Sequence, residues 1–249
     1  MVYAGVVGAC IGSFLNVCVY RWPEDRSVVS PPSSCPACGT RIRWYDNVPV
    51  LGWLWLRGRC RACGHGISIQ YPLVELVTAL LWVMAVWRFG FGWQALATAL
   101  FFTLLLGIAL ADARTYIIPD QFTIGGTVLG LALSFAPGGI EPLWSLIGAA
   151  VGFGILWLVA VVGEWAFKKE AMGGGDIKMM AMVGAFLGPW NVLLTLFLGA
   201  LFGTLIFAPI SFKTGKLVPF GIFLALGAAI TEPFGQAMID WYARTFLGV

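Results

Sequence analysis

The sequence predicts an all-α polytopic membrane protein of about eight transmembrane helices with one cytoplasmic, zinc-knuckle-like loop. Three observations predict it. Of 249 residues, 59% are hydrophobic and only 11% are charged, against roughly 25% charged in a soluble domain. The apolar residues fall in runs near the ~20 residues that a helix needs to cross a bilayer. The cations lie almost entirely on one side of those runs, the pattern that sets orientation in a membrane. With a formal net charge of +3, membrane lipid is the expected partner and nucleic acid is not.

Taken in order, the candidate spans are 2–20, 72–88, 93–111, 121–136, 142–166, 177–188, 190–211 and 217–233. The first begins almost at Met1, which leaves its outer end short. No small-residue cleavage site follows it, so no cleavable signal peptide is expected. The sixth is the shortest and must be tilted, extended or sunk between its neighbours. Arg21, Arg26, Arg41, Arg43, Arg57, Arg59 and Arg61 lie in the connection 21–71. Alternating sides from there puts Arg114, Lys168, Lys169, Lys178, Lys213 and Lys216 on the same face, and leaves only Arg88 and Arg244 on the other. The cation-rich face is cytoplasmic, and both termini lie outside the cytoplasm. The outer connections, Phe89 to Gly92, Pro137 to Glu141 and Gly188-Pro189, are too short to hold a domain. Pro233 to Val249 reads as an amphipathic interfacial tail. No internal repeat is visible beyond the alternation of spans.

The one connection long enough to fold by itself is 21–71. It carries Cys35-Pro36-Ala37-Cys38 and Cys60-Arg61-Ala62-Cys63, with 21 residues between Cys38 and Cys60. Gly39 and Gly64 follow the two pairs and suit a tight turn that brings two thiolates onto one metal ion. Four thiolates complete a tetrahedral structural zinc site, at a spacing slightly longer than the usual C-x₂-C-x₁₅₋₂₀-C-x₂-C. Two disulfides are the alternative, but a cytoplasmic loop is reducing. A closed four-thiolate site has no open position for substrate, so its role is to fold the loop. His65 reads as a bystander, and Cys10 and Cys18 as packing residues. Trp44, Tyr45, Trp53, Trp55 and Arg57 read as an interfacial belt. Asn16 in the first span and Glu75 at the start of the second need partners, either as bundle hydrogen bonds or as the lining of a site.

Gly173-Gly174-Gly175-Asp176-Ile177-Lys178 is the stretch around which the chain is organised. Three glycines let another backbone come close, so an extended peptide can lie beside Asp176. The plain alternative is a hinge with an N-capping aspartate. An ionisable residue at the edge of a span is, however, a functional candidate. Asp112 ends the third span on the same side and at the same depth as Asp176. Its plain alternative is a salt bridge to Arg114 or a nearby lysine, and Asp120 reads as a helix N-cap after Pro119. Two carboxylates that face each other cannot both ionise easily and share a proton. Such a pair can hydrolyse a peptide, one taking a proton from water while the other gives one to the carbonyl. Spacing alone does not make them meet, since 64 positions separate Asp112 from Asp176.

Several ordered motifs together resemble the type IV prepilin peptidases, bifunctional leader peptidases and N-methyltransferases of the bacterial inner membrane. They are Gly12-Ser13-Phe14-Leu15-Asn16-Val17-Cys18-Val19-Tyr20-Arg21-Trp22-Pro23, the four cysteines, Tyr71-Pro72-Leu73-Val74-Glu75-Leu76, Asp112 with Ile118-Pro119-Asp120, and the G-x-G-D motif at Gly173–Asp176. The last alone is weak, because presenilin-like intramembrane proteases share it. The resemblance implies a catalytic pair Asp112 and Asp176 at the cytoplasmic membrane face. It implies cleavage of a basic leader after a glycine from prepilins or pseudopilins of type IV pilus or type II secretion systems. N-methylation of the new terminus follows, with S-adenosylmethionine as donor. The organisation it implies is a first helix at 1–20, a metal-binding, methyltransferase-associated loop at 21–71 and a peptidase core at 72–249. Gly173, Gly174, Gly175, Lys178, Glu75 and Asn16 are the supporting or substrate-approach candidates. Asp46, Glu75 or Glu170 are candidates to meet the basic leader. The chain has no glycine-rich nucleotide fold, so methyl transfer must use the loop and the span ends, with Glu75 and Asn16 the candidates.

Two other functions compete. A proton- or cation-coupled transporter would use Asp112 and Asp176 as carriers, but should show paired broken helices at the midplane. A non-catalytic assembly factor would use the zinc loop for docking, and would tolerate aspartate-to-asparagine changes while losing function on cysteine changes.

Overall fold

The computed structural model describes residues 1–169, 172–214 and 219–248, and within them each of the eight apolar stretches forms helix. Glu170 and Lys216, and the side chain of Lys213, lie outside the described residues. The helices are α1 (Val2–Arg21), α2 (Leu51–Trp55), α3 (Gln70–Phe89), α4 (Trp93–Thr115), α5 (Asp120–Leu133), α6 (Pro142–Phe167), α7 (Gly174–Thr214) and α8 (Phe220–Tyr242). Among the described residues there is no strand, only two isolated antiparallel bridges, Ser34 with Arg41 and Arg59 with Gly66. The protein is therefore all-α, with six helices among the described residues long and apolar enough to cross a membrane. The other two of the eight stretches are short. The fourth is the 14-residue α5, which at 1.5 Å per residue reaches only about 21 Å. The sixth is the first limb of α7, which runs on through a break at Gly188 (φ 78) into the seventh. The expected interfacial tail is different: α8 continues through Pro233 to Tyr242, followed by a π-helical turn over Ala243–Leu247.

The chain divides into two compact units, Met1–Thr103 and Leu104–Val249. In the first, α1 packs on α3. Gly8 and Gly12, four apart on one face of α1, bring the backbones together: a Cβ on Gly8 would lie 2.8 Å from Trp82 Cβ, and one on Gly12 would lie 2.8 Å from Glu75 Cα. Small residues at this spacing drive helix association where lipid removes the hydrophobic force between helices. Trp82, Ala85 and Ala99 form a buried cluster with Val7, Ile11, Leu96 and Leu100 around it, and Trp82 Nε1 donates to Thr103 Oγ1 at 3.1 Å.

In the second unit α7 is central, packed by α5, α6 and α8. Met179, Met180, Met182 and Val183 on its first limb are all fully buried. A helix that is apolar all round is one enclosed by others, and this explains why so short a stretch reads as a span. Gly148 of α6 and Gly184 of α7 leave each other no room for a side chain, and Ser145 Oγ donates across the same contact to Ala185 O at 2.6 Å.

Candidate active site and metal centre

Asp112 lies in the last turn of α4. The turn is closed by Tyr116 N–H on Asp112 O at 2.9 Å, with Tyr116 at φ 57. The chain then reverses through Ile117, Ile118 and Pro119 into α5, so Asp112, Ile118 and Asp120 come from one tight corner. Asp112 is 5% exposed. Its Oδ2 accepts from the backbone N–H of Ile222 at 3.2 Å, in the first turn of α8, where such groups have no partner within the helix. Asp112 is thus held by a backbone amide of α8.

Asp176 is the third residue of α7, half-buried, and its Oδ1 is enclosed without a partner. The two carboxylates are close enough for Asp176 to feel the charge of Asp112. The second unit therefore brings together the pair that 64 positions separate in sequence. The three glycines divide: Gly173 and Gly174 are exposed, and a Cβ on Gly174 would meet nothing within 4 Å. Gly175 faces inward, where a Cβ would lie 2.8 Å from Ile118 Cβ. Lys178 Nζ donates to Asp120 Oδ1 at 2.6 Å, tying the start of α7 to the start of α5. Asp120 is consequently not the N-cap, which is Pro119; its carboxylate goes to Lys178.

Sequence reasoning missed Gly221. A Cβ there would lie 2.8 Å from Asp112 Oδ2 and 2.8 Å from Ile118 Cδ1. The signal available was Pro219-Phe220-Gly221, a proline and a glycine opening an apolar run on the side assigned to both aspartates.

In the first unit the four expected sulfurs gather, with Cys35, Cys38, Cys60 and Cys63 Sγ all within 4.8 Å of one another. Cys35 and Cys63 are 3.8 Å apart, about the edge of a tetrahedron with four Zn–S bonds of ~2.3 Å. The two knuckles repeat each other. Cys35 N–H donates to Thr40 O and Gly39 N–H to Cys35 O, while Cys60 N–H donates to His65 O and Gly64 N–H to Cys60 O. Gly39 and Gly64 hold φ of 70 and 73, the left-handed conformation that glycine adopts without strain. No wider repeat was visible in sequence because only C-x-x-C-G is shared. His65 contributes its carbonyl and lies outside the ligand set. Hydrogen bonding with Thr40 draws the Cys38 thiol down to about 6. Cys60 is lowered by the backbone amides of Cys63 and Ala62. Cys63, although a His65 backbone amide lowers it, is pushed up to about 12 by hydrogen bonding with Cys38 and by burial. The donor set fits zinc: four thiols whose sulfurs all lie within 4.8 Å of one another, one pair at the edge length of a zinc tetrahedron.

Asn16 and Glu75 are both buried. Asn16 Nδ2 donates to Tyr71 O at 3.1 Å and Gly12 O at 3.3 Å, while its Oδ1 is buried without a partner. Glu75 Oε2 accepts from Val50 N–H at 2.7 Å. Both residues line a cavity of about 880 Å³ with Tyr20, Tyr71, Trp53 and Arg21, within the size range of cofactor sites. Tyr20 and Tyr71 stack at 5.5 Å. Asp46, a candidate for meeting a basic leader, instead holds Arg61 through both oxygens, and that hydrogen bond keeps its carboxyl below the usual range. Of the belt, Trp44 and Trp55 are exposed, but Trp53 turns inward and donates to Ile67 O at 3.0 Å. Cys18 is buried as expected, whereas Cys10 is exposed on α1.

Comparison with known proteins bears on both units. The family model described as Bacterial Peptidase A24 N-terminal domain matches residues 6–89, and that of the Type IV leader peptidase family matches residues 99–208. A protein named prepilin leader peptidase/N-methyltransferase from Myxococcus xanthus is 42% identical over 228 residues, covering 92% of this chain and 64% of the relative. Relatives of the same name from Xanthomonas campestris pv. campestris and Aeromonas salmonicida are 35% and 38% identical, covering 97% and 95% of this chain and 93% and 91% of theirs. The chain thus spans less than two thirds of the Myxococcus protein and nearly all of the other two. No solved structure matches the chain.

Proposed function

This chain belongs to the type IV leader peptidase family, and from that premise we propose that it cleaves prepilins or pseudopilins and N-methylates the new terminus. The observation that supports the peptidase half is that the helix ends carrying the two aspartates converge on Ile118: Gly175, next to Asp176 on α7, and Gly221, which lies against Asp112 Oδ2, both pack on it. One takes a proton from a water as it attacks the scissile carbonyl while the other protonates that carbonyl; as the diol collapses, the first passes its proton to the leaving amine and the second takes its own back from the diol hydroxyl. Gly173 and Gly174, exposed and without side chains, leave room for the extended residues around the cut. The exposed Lys178–Asp120 pair borders the approach. The basic leader stays on the cytoplasmic face of a bacterial inner membrane, as the distribution of Lys and Arg supports. The transporter and docking-factor readings gain no support from the relatives.

For methyl transfer we propose the cavity of the first unit. S-adenosylmethionine supplies an electrophilic methyl group when bound. The residues fit it. Asn16 Oδ1 is a buried acceptor without a partner, suited to the donor's ammonium, and Glu75 adds a carboxylate. The Tyr20–Tyr71 stack offers an aromatic face. The four-cysteine centre, closed by its own ligands, holds the loop over this cavity and takes no part in either reaction. Equilibrium binding of S-adenosylmethionine to an Asn16→Leu variant, read by calorimetry, should weaken at least tenfold; unchanged binding removes the assignment.

The test of the whole reading is a mass spectrum of a prepilin incubated with purified protein and S-adenosylmethionine, beside Asp112→Asn and Asp176→Asn. Loss of the leader and gain of one methyl are expected, with cleavage absent in both variants. Cleavage surviving either substitution overturns the pair. Cleavage without a methyl removes the transferase half.

A further inference from the structure

Resting on the peptidase reading, we propose that the first turn of α8 is a positioning device for Asp112, and that Gly221 must be glycine because a side chain there would occupy the space of the carboxylate. Three observations converge. Ile222 N–H donates to Asp112 Oδ2 at 3.2 Å across 110 positions of chain. A Cβ on Gly221 would lie 2.8 Å from the same oxygen, closer than real Cβ atoms come, and 3.2 Å from the carboxylate carbon. Pro219 caps the helix, so the first turn starts at a fixed point and its N–H groups, unused within the helix, face outward from its end.

This arrangement does more than hold a helix end. A carboxylate on the last turn of α4 can rotate about two bonds, and only some rotamers face Asp176. The α8 amide fixes Oδ2, which leaves Oδ1 as the oxygen for proton exchange with water. Ile118 wedges between the two helix starts: a Cβ on Gly175 would strike it from the α7 side and one on Gly221 from the α8 side, each at 2.8 Å. The same isoleucine thus spaces the first turn that carries Asp176 from the first turn that holds Asp112. Gly221 and Ile222 touch no substrate in this scheme; they act through Asp112.

The test uses the protein and five variants, the fifth being Gly221→Ala/Ile118→Val. Ile222→Pro removes the donated N–H, which the first turn of the helix does not use, together with the isoleucine side chain. Gly221→Ala places a methyl against the carboxylate. Gly154→Ala, on α6 where a Cβ meets nothing within 4 Å, is the control. Asp112→Asn tests the peptidase reading itself. Each is assayed for prepilin cleavage as separate kcat and KM, and for methyl transfer to pre-cleaved pilin as a check of folding. Displacing a reacting group by about 1 Å costs about 100-fold in rate. Ile222→Pro and Gly221→Ala should therefore lower kcat by roughly that factor, with KM and methyl transfer unchanged, while Gly154→Ala matches the wild type. Wild-type kcat in Ile222→Pro overturns the proposal. So does recovery of kcat in Gly221→Ala/Ile118→Val, since the defect would then lie in packing on Ile118 Cδ1 and not on the carboxylate. Cleavage by Asp112→Asn would instead sink the peptidase reading, an outcome these other variants do not mimic.

Discussion

Replacing Glu75 by leucine isolates the join between the cysteine loop and the helix beneath it. Glu75 is 7% exposed, and its Oε2 receives Val50 N–H at 2.7 Å. Val50 holds φ 62, a region that costs a β-branched residue about 1–3 kcal/mol and that persists only when surroundings enforce it. A hydrogen bond to a charged acceptor contributes about 1.5–3 kcal/mol. Leucine removes it and leaves the amide orphaned; glutamine keeps an acceptor but loses the charge. At about 1.4 kcal/mol per tenfold, leucine should raise opening at Val50 by roughly 10- to 150-fold, and glutamine by less than tenfold. Hydrogen exchange of the peptide containing Val50, followed by mass spectrometry, reads this directly. On the same preparations, zinc content and prepilin cleavage should stay at wild-type levels, while S-adenosylmethionine binding weakens. Unchanged exchange at Val50 would refute the view that the carboxylate holds the loop. A parallel loss of cleavage and methyl transfer would refute the division of labour between the two units.

Purified protein should carry one zinc per chain by elemental analysis, and Cys38→Ser should lower that content while Cys10→Ser does not. Zinc binds thiolates, so uptake should release protons, and the metal should be lost progressively as pH falls, seen by titration with a chromogenic chelator. Gly175→Ala should cost about 1–3 kcal/mol by overpacking on Ile118, measured as a fall in thermal stability that Ile118→Ala partly restores. Lys178→Ala should change stability by at most about 1 kcal/mol, because its pair with Asp120 is partly exposed; a larger loss would show that the pair is integral to the fold.

What the sequence made legible was what depends on residue type and local order. C-x-x-C-G occurs twice and dictates two knuckles, because the turn needs a left-handed residue just after the second cysteine. The long apolar runs give the helices. The aspartates announced themselves because charge is scarce in such a chain. What stayed hidden depends on which amide lies opposite which oxygen. Nothing about Ile222 or Val50 marks it as a donor, since every residue but proline carries the same N–H. Asp120 was misassigned for a related reason: a residue after proline resembles a cap, and its true partner Lys178 is 58 positions away. Six of the eight stretches are each long enough to cross a membrane alone; length and hydropathy, which treat each run separately, do not show how the other two are built in. The first limb of α7 is apolar on all sides through enclosure by other helices, and it continues into the next run across a single residue.

Glu75 and Asp112 are held in the same way, and the apolar setting explains why. A lysine or arginine brought in to hold a buried carboxylate must itself leave water, at a cost of several kcal/mol per ion. A backbone N–H at the start of a helix carries no such cost, because it has no helical acceptor and must find a partner in any case. Pairing the two satisfies both: Val50 opens α2 and donates to Glu75, and Ile222 opens α8 and donates to Asp112. The carboxylate also meets the positive end of α8's dipole. An amide fixed in a helix cannot swing away as a long cationic side chain can, so the oxygen it holds is fixed to the framework. For a group whose task is to exchange a proton with one water, that immobility matters more than the strength of the bond. It follows that shortening α8 from its start should damage cleavage more than shortening it by the same length from its end, although the end carries Trp241 and Tyr242 and buries no catalytic group.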